Sequence, residues 1–153
     1  KVNPPLRTER DVEAIIEGLK DGTIDIIATD HAPHHIDEKN VEFNIAANGL
    51  VGFETAIPLA ITCLVKPGHL TIEQLVEKMC VNPSKILGLN KGTIEVGKKA
   101  DITIIDPNEE YVIDVNQFKS KSKNSPFHGF KVTGSVYHTI VGGKIVVREK
   151  VLL

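Results

Sequence analysis

The run IDIIA, Ile24–Ala28, constrains this chain most. It is short and β-branched, and it follows a helix signal and a Gly-containing turn, as in the αβ half of an α/β repeat. A strand of this kind is expected to bury both faces and to need parallel neighbours on both edges. The remaining sequence offers few credible partners for it. The segment KVNPPLR opens at Lys1 without a Met and reads as the middle of a longer polypeptide. The expectation is therefore one part of a larger α/β fold.

The elements around the run are well signposted. Pro4 and Pro5 keep the first residues out of a helix. Thr8 can cap a helix with Asp11 at its third position, and Val12, Ile15, Ile16 and Leu19 recur at helical spacing. Gly22 suits the C-terminal cap. Residues Thr29–Gly52 show no period and read as one long loop, a class usually functional or disordered. GFETAIPLAITCLVK reads as a buried apolar helix with Pro58 in its first turns or kinking it. TIEQLVEKMC opens with a capping box, Thr71 and Gln74. NPSKILGLN is a further short helix ended by Gly88 or Asn90. After Asn90 the pattern becomes alternating, β-branched and Gly-punctuated. VGGKIVV looks like a hairpin turn at Gly142 and Gly143. FKSKSKNSPFHGF reads as a polar loop between the halves of this all-β tail.

Composition narrows the function classes. Net charge is −2 with both signs mixed along the chain, which argues against nucleic acid or an anionic membrane surface as partner. No apolar run approaches the roughly 18 residues of a membrane span, and no leader pattern is visible. Cys63 and Cys80 form no CxxC pattern and read as reduced core residues of a cytoplasmic protein.

Chemistry concentrates where IDIIA ends, in ATDHAPHH. Asp30 stands at the carboxyl end of the expected strand, where parallel α/β folds build active sites. A carboxylate there can bind a metal, act as a base, or both; the plain alternative is a turn Asp bonding backbone amides. His31, His34 and His35 do not form a self-contained metal site. The HxH and HExxH spacings are absent, and Pro33 opposes helical presentation. Asp30 with one His would fall short of the three protein ligands usual for a catalytic zinc. His34 can instead face a substrate anion, while His31 and His35 read as structural or solvent-facing. Asn3, ahead of two prolines, can present its amide to a polar ligand. Gly49 and Gly52 permit close approach of backbone to a ligand, or simply a flexible loop.

Five segments together resemble the dihydroorotases of the bacterial multi-metal class, within the cyclic amidohydrolases of the amidohydrolase superfamily. They are Lys1–Arg7, ATDHAPH (Ala28–His34), GLVGFETAIPL (Gly49–Leu59), GTIEVGKKADITIID (Gly92–Asp106) and SPFHGFKVTGSVYHTIVGGKIV (Ser125–Val146). The fourth is widespread in the superfamily; the first two are more specific, because hydantoinase-like and allantoinase-like relatives usually lack the APH that places His34.

The resemblance implies an α/β fold: the C-terminal part of a (β/α)8 TIM-type barrel in residues 1–90, then half of a small all-β domain in residues 91–153. It implies zinc-dependent reversible hydrolysis of L-dihydroorotate to N-carbamoyl-L-aspartate in pyrimidine biosynthesis. On this model zinc is a binuclear cofactor whose other ligands lie outside the chain. Asp30 is a metal ligand and proton shuttle, and Asn3, His34, Asn48 and Gly49 meet the substrate. Asn48 departs from the Phe often found before that Gly. The implied partners are a small-molecule substrate, the N-terminal part of the same polypeptide, and a homodimer mate or aspartate transcarbamoylase. The alternatives are a hydantoinase- or allantoinase-type enzyme, or a non-catalytic subunit scaffolding aspartate transcarbamoylase. The fragment alone is expected to be inactive.

Overall fold

A computed structural model describes residues 1–153. The first helix, α1 (Glu9–Asp21), begins and ends where its caps require. The Thr8 hydroxyl and amide both donate to the Asp11 carboxylate, and Gly22 closes the helix in the left-handed conformation, φ 86°. A one-turn α2 (Ile36–Lys39) lies inside the long loop, capped by His35. Next comes α3 (Ala56–Ala60), which runs on as a π-helical turn over Ile61–Val65, with Pro58 at its third position. A proline there costs little, because first-turn amides have no intrahelical acceptor. The expected Thr71–Gln74 box starts α4 (Ile72–Val76), and a second π-helical turn leads into α5 (Asn82–Ile86).

The C-terminal part is a four-stranded antiparallel sheet in the order β1 (Ile102–Val112), β2 (Lys131–Val141), β3 (Lys144–Arg148) and β4 (Val151–Leu152). Gly142 and Gly143, both at positive φ, make the two-residue turn between β2 and β3, as the sequence suggests. The β1–β2 register slips between Asp106 and Glu110, around Pro107, which has no amide to give the ladder.

The core forms where α3 meets α4 and β2. Ala60, Ile61 and Leu75 are buried, with Ile27, Ile57 and Ile105 packed against them. Complete burial of a side chain such as Ile61 contributes about 1.5–3 kcal/mol. Gly134 lets β2 approach Ile61 closely, since a Cβ there would overlap the isoleucine side chain. Thr62 stitches the same contact. Its hydroxyl donates to Pro58 O at 2.6 Å and accepts from Thr133 N at 2.8 Å.

Four expectations are corrected. Ile24–Ala28 is extended but joins no ladder. In place of strands, α4 and its neighbours hold one edge: Ile27 N donates to Lys78 O, Lys78 Nζ to Ile24 O at 2.7 Å, and Asn82 Nδ2 to Asp25 O at 3.0 Å. Parallel ladders need a second strand, and this chain supplies none at that place. The α1 stripe is open for the same reason: Leu19 is buried, whereas Val12 and Ile15 are 53% and 54% exposed. Cys63 and Cys80 are exposed free thiols, not core residues, because no element of the chain covers their helix faces. Finally, Thr29–Gly52 is not structureless. It carries α2 and a parallel bridge between His31 and Leu50.

Candidate active site

Asp30 follows the extended run directly. Its backbone sits in the left-handed region, φ 44°, which a non-glycine residue adopts at a cost of about 1–3 kcal/mol, the kind of strain that clusters at active sites. Its carboxylate is exposed and bonds no backbone amide. Asp21, Asp106 and Asp114 behave otherwise, each accepting from the amide two residues on at 2.8, 2.9 and 3.0 Å. The turn-Asp alternative therefore describes those three residues and not Asp30.

Beyond Asp30 the chain is tied to the segment ahead of α3. His31 Nδ1 accepts from Gly52 N at 3.0 Å and Phe53 N at 3.3 Å, so its proton is on Nε2, and its ring stacks on Phe53 at 3.9 Å. His31 is structural. His35 is exposed and accepts from Asp37 N to cap α2.

His34 is better enclosed, its side chain 27% exposed. Nε2 lies 2.8 Å from Asn48 O, an acceptor only, so Nε2 carries a hydrogen and donates. Nδ1 faces the Glu38 carboxylate at 3.3 Å. A second proton on Nδ1 would make His34 a cation held between a carbonyl and a carboxylate.

Asn48 thus enters the site through its carbonyl, while its residue is exposed. Gly49 is buried at φ 139°, and a Cβ there would stand 2.5 Å from Ala32 Cβ and 3.2 Å from His34 Nε2. Where the sequence allows this glycine's backbone to approach a ligand, the structure brings it against the ATDHAPH turn. Its backbone is fully engaged: its amide donates to Lys1 O at 3.0 Å, and its carbonyl accepts from Lys39 Nζ and Asn124 Nδ2. The bond to Lys1 brings the KVNPPLR segment alongside Asn48 and Gly49. Asn3, two residues on, is exposed. The structure thus gathers His34, Asn48, Gly49 and the Lys1 segment by hydrogen bonds, whereas Asp30 and Asn3 make no side-chain bond to them.

Three residues that hold this wall were not singled out by sequence. Lys39 Nζ donates to Lys1 O, Ala47 O and Gly49 O at 3.0, 2.8 and 3.1 Å. Ser122 Oγ donates to His34 O at 2.8 Å. Asn124 Nδ2 donates to both Ala32 O and Gly49 O at 3.0 Å. The polar loop 118–125 is accordingly an ordered strap, anchored at its other end where Lys119 N and Ser120 N donate to the Glu54 carboxylate. Between strap and wall lies an open cavity of about 570 Å³ lined by His34, Lys39, Lys121, Lys123 and Asn124. Its cationic rim suits an anionic group. A larger cleft of about 710 Å³, between α3 and the sheet, includes none of Asn3, Asp30, His34, Asn48 or Gly49.

No three His, Cys, Asp or Glu side chains converge as a metal centre. The donors of this chain alone do not fit a zinc site; Asp30 is a single free carboxylate. No helix is long and apolar enough to cross a membrane.

Comparison with known proteins defines the class. The family model described as the amidohydrolase family matches residues 3–146, and the chain belongs to that family. The resemblance to dihydroorotases is also borne out. A dihydroorotase of Acetivibrio thermocellus is 83% identical over all 153 residues, and one of Ruminiclostridium cellulolyticum 72%. The chain spans 36% of each of these relatives. Solved structures share the fold. L-hydantoinase from Arthrobacter aurescens superposes with a TM-score of 0.93 at 38% identity over 100% of this chain and 35% of its own length. D-hydantoinase from Thermus sp. gives 0.91 at 31% identity, over 99% and 34%.

Proposed function

We propose that this chain is part of a dihydroorotase and supplies one wall of its active site, hydrolysing L-dihydroorotate reversibly to N-carbamoyl-L-aspartate for pyrimidine synthesis in the cytoplasm. The observation that carries the reading is the 83% identity to a named dihydroorotase over all 153 residues. Residues 1–90 would belong to the last part of a (β/α)8 barrel, and residues 91–153 to a small β domain. The unpaired run Ile24–Ala28 and the open stripe of α1 support this placement, because the rest of a barrel would cover both.

Asp30 acts on protons. Its free carboxylate takes a proton from the attacking water and returns it to the ring nitrogen as the amide bond breaks. Asp30 would also contribute one donor to zinc, with the remaining donors outside this chain. Bound zinc would supply water activation and carbonyl polarisation. His34 and the cationic cavity hold the substrate carboxylate, for which His34 must exchange one of its present acceptors. Asn3 meets the ring edge, and the Asn48–Gly49 backbone shapes the floor.

A hydantoinase reading draws on the solved structures, but at 38% identity or less. Turnover of L-dihydroorotate, hydantoin and allantoin by the full polypeptide carrying this chain separates the two. Preference for dihydroorotate is expected; preference for either of the others refutes the reading.

A further inference from the structure

Asn124 is placed where the strap, the ATDHAPH turn and the Gly49 loop meet. Its two amide hydrogens go to two different carbonyls, Ala32 O in the ATDHAPH turn and Gly49 O in the neighbouring loop, both at 3.0 Å. Its Oδ1 accepts from His34 N at 3.5 Å, and its own carbonyl accepts from Val51 N at 3.1 Å. These partners lie 73 to 92 residues away in sequence, so none is a local turn contact. The amide orientation is fixed by its surroundings, since two carbonyls can be met only by the NH2 side.

The three bonded residues matter jointly. Ala32 and His34 flank Pro33, and Gly49 follows Asn48, whose carbonyl holds His34 Nε2. One side chain therefore adds to the Ala32 N–Leu50 O backbone bond, 2.9 Å, in fixing the spacing between the backbone that carries the imidazole and the backbone that orients it. Ser122 adds a second tie from the same strap, to His34 O. His31 ties the start of the same turn to Gly52 N and Phe53 N, but only Asn124 reaches both Ala32 O and Gly49 O; Lys39 grips only the loop and the Lys1 segment.

We infer that Asn124 is a positioning residue for substrate binding: it holds His34 and Gly49 in the relative placement that receives the substrate's anionic group. This rests on the reading of His34 and Gly49 as substrate wall. Asn124 touches neither Asp30 nor any reacting atom, so its effect falls on binding and not on the chemical step.

The test uses Asn124→Asp, Asn124→Ala and Ser122→Ala in the full polypeptide. Asp keeps the shape but sets a carboxylate against two carbonyl oxygens. KM for L-dihydroorotate is expected to rise at least about tenfold in Asn124→Asp, less in Asn124→Ala and least in Ser122→Ala. In all three, kcat is expected to stay within about threefold of wild type. Unchanged KM in a folded Asn124→Ala protein overturns the proposal, as does a parallel fall of kcat with KM constant. If Asn124→Asp does not fold, the alanine variants decide. Amide exchange at His34 N and the His34 ring ¹⁵N shifts provide a readout independent of turnover. If wild type fails to turn over dihydroorotate, the functional reading falls, while faster exchange and altered ring shifts in Asn124→Ala still support the positioning role. Unaltered shifts and exchange refute it.

Discussion

Gly49→Ala concentrates the site's geometry into one methyl group. Two costs add. The backbone at φ 139° lies in a region that is essentially glycine's alone, worth about 1–3 kcal/mol for an L-residue. The new Cβ would stand 2.5 Å from Ala32 Cβ, well inside the roughly 3.5–4.0 Å of a normal carbon contact, so the loop or the turn must move by about an ångström. Overpacking of that order costs about 1–3 kcal/mol. The sum is about 2–6 kcal/mol, partly relieved if the loop shifts. Urea unfolding of the full polypeptide should show at least about 2 kcal/mol lost, at the low end of those strain and packing costs. KM should rise, because His34 Nε2 lies 3.2 Å from the same Cβ. Ala32→Gly in the same background removes the tightest contact and leaves the φ strain and the closer-than-usual His34 Nε2 and Ala32 O, so it should restore about 1–2 kcal/mol of the packing part. A Gly49→Ala protein within about 0.5 kcal/mol of wild type, the range of ordinary surface changes, would refute the reasoning.

Other expectations follow from the same geometry. Lys39→Met keeps the aliphatic stem but leaves Lys1 O and Ala47 O without their ammonium donor, a loss of about 1–3 kcal/mol measurable by urea titration. A wild-type midpoint would show that the anchor does not form. The Asp101 carboxyl is held below its ordinary 3.8, first by the Lys91 ammonium and then by the Gly142 amide. Its contribution to stability is therefore complete above that value and disappears as pH falls through the lowered one. Asp101→Asn should flatten the acid limb of the stability curve between those values and leave the slope near neutral pH unchanged; an unchanged acid limb would count against the pairing.

The elements legible from sequence were those set by local chemistry. Thr8 with Asp11 and Thr71 with Gln74 are reciprocal caps three residues apart, and Gly142–Gly143 states its turn in two letters. Asp30 was legible as a position, the polar residue that ends an apolar run. The wall around His34 was not. Its bonds from Asn124 span 75 and 92 residues, and from Ser122 88. Such contacts leave no periodicity, and the strap that makes them has the composition of any exposed loop. Ile24–Ala28 and the two cysteines depart from their sequence pattern for a related reason. Apolar pattern reports what a segment would bury given neighbours, and this chain alone does not bring those neighbours.

The most direct measurement is the turnover of L-dihydroorotate by Asp30→Asn in the full polypeptide, with metal content and unfolding midpoint recorded on the same preparation. A positioned proton carrier contributes about 10²–10⁴-fold, so kcat should fall by at least about a hundredfold while the fold is retained. Turnover within tenfold of wild type, from a folded protein, would contradict the assignment of Asp30 and the active-site wall built around it.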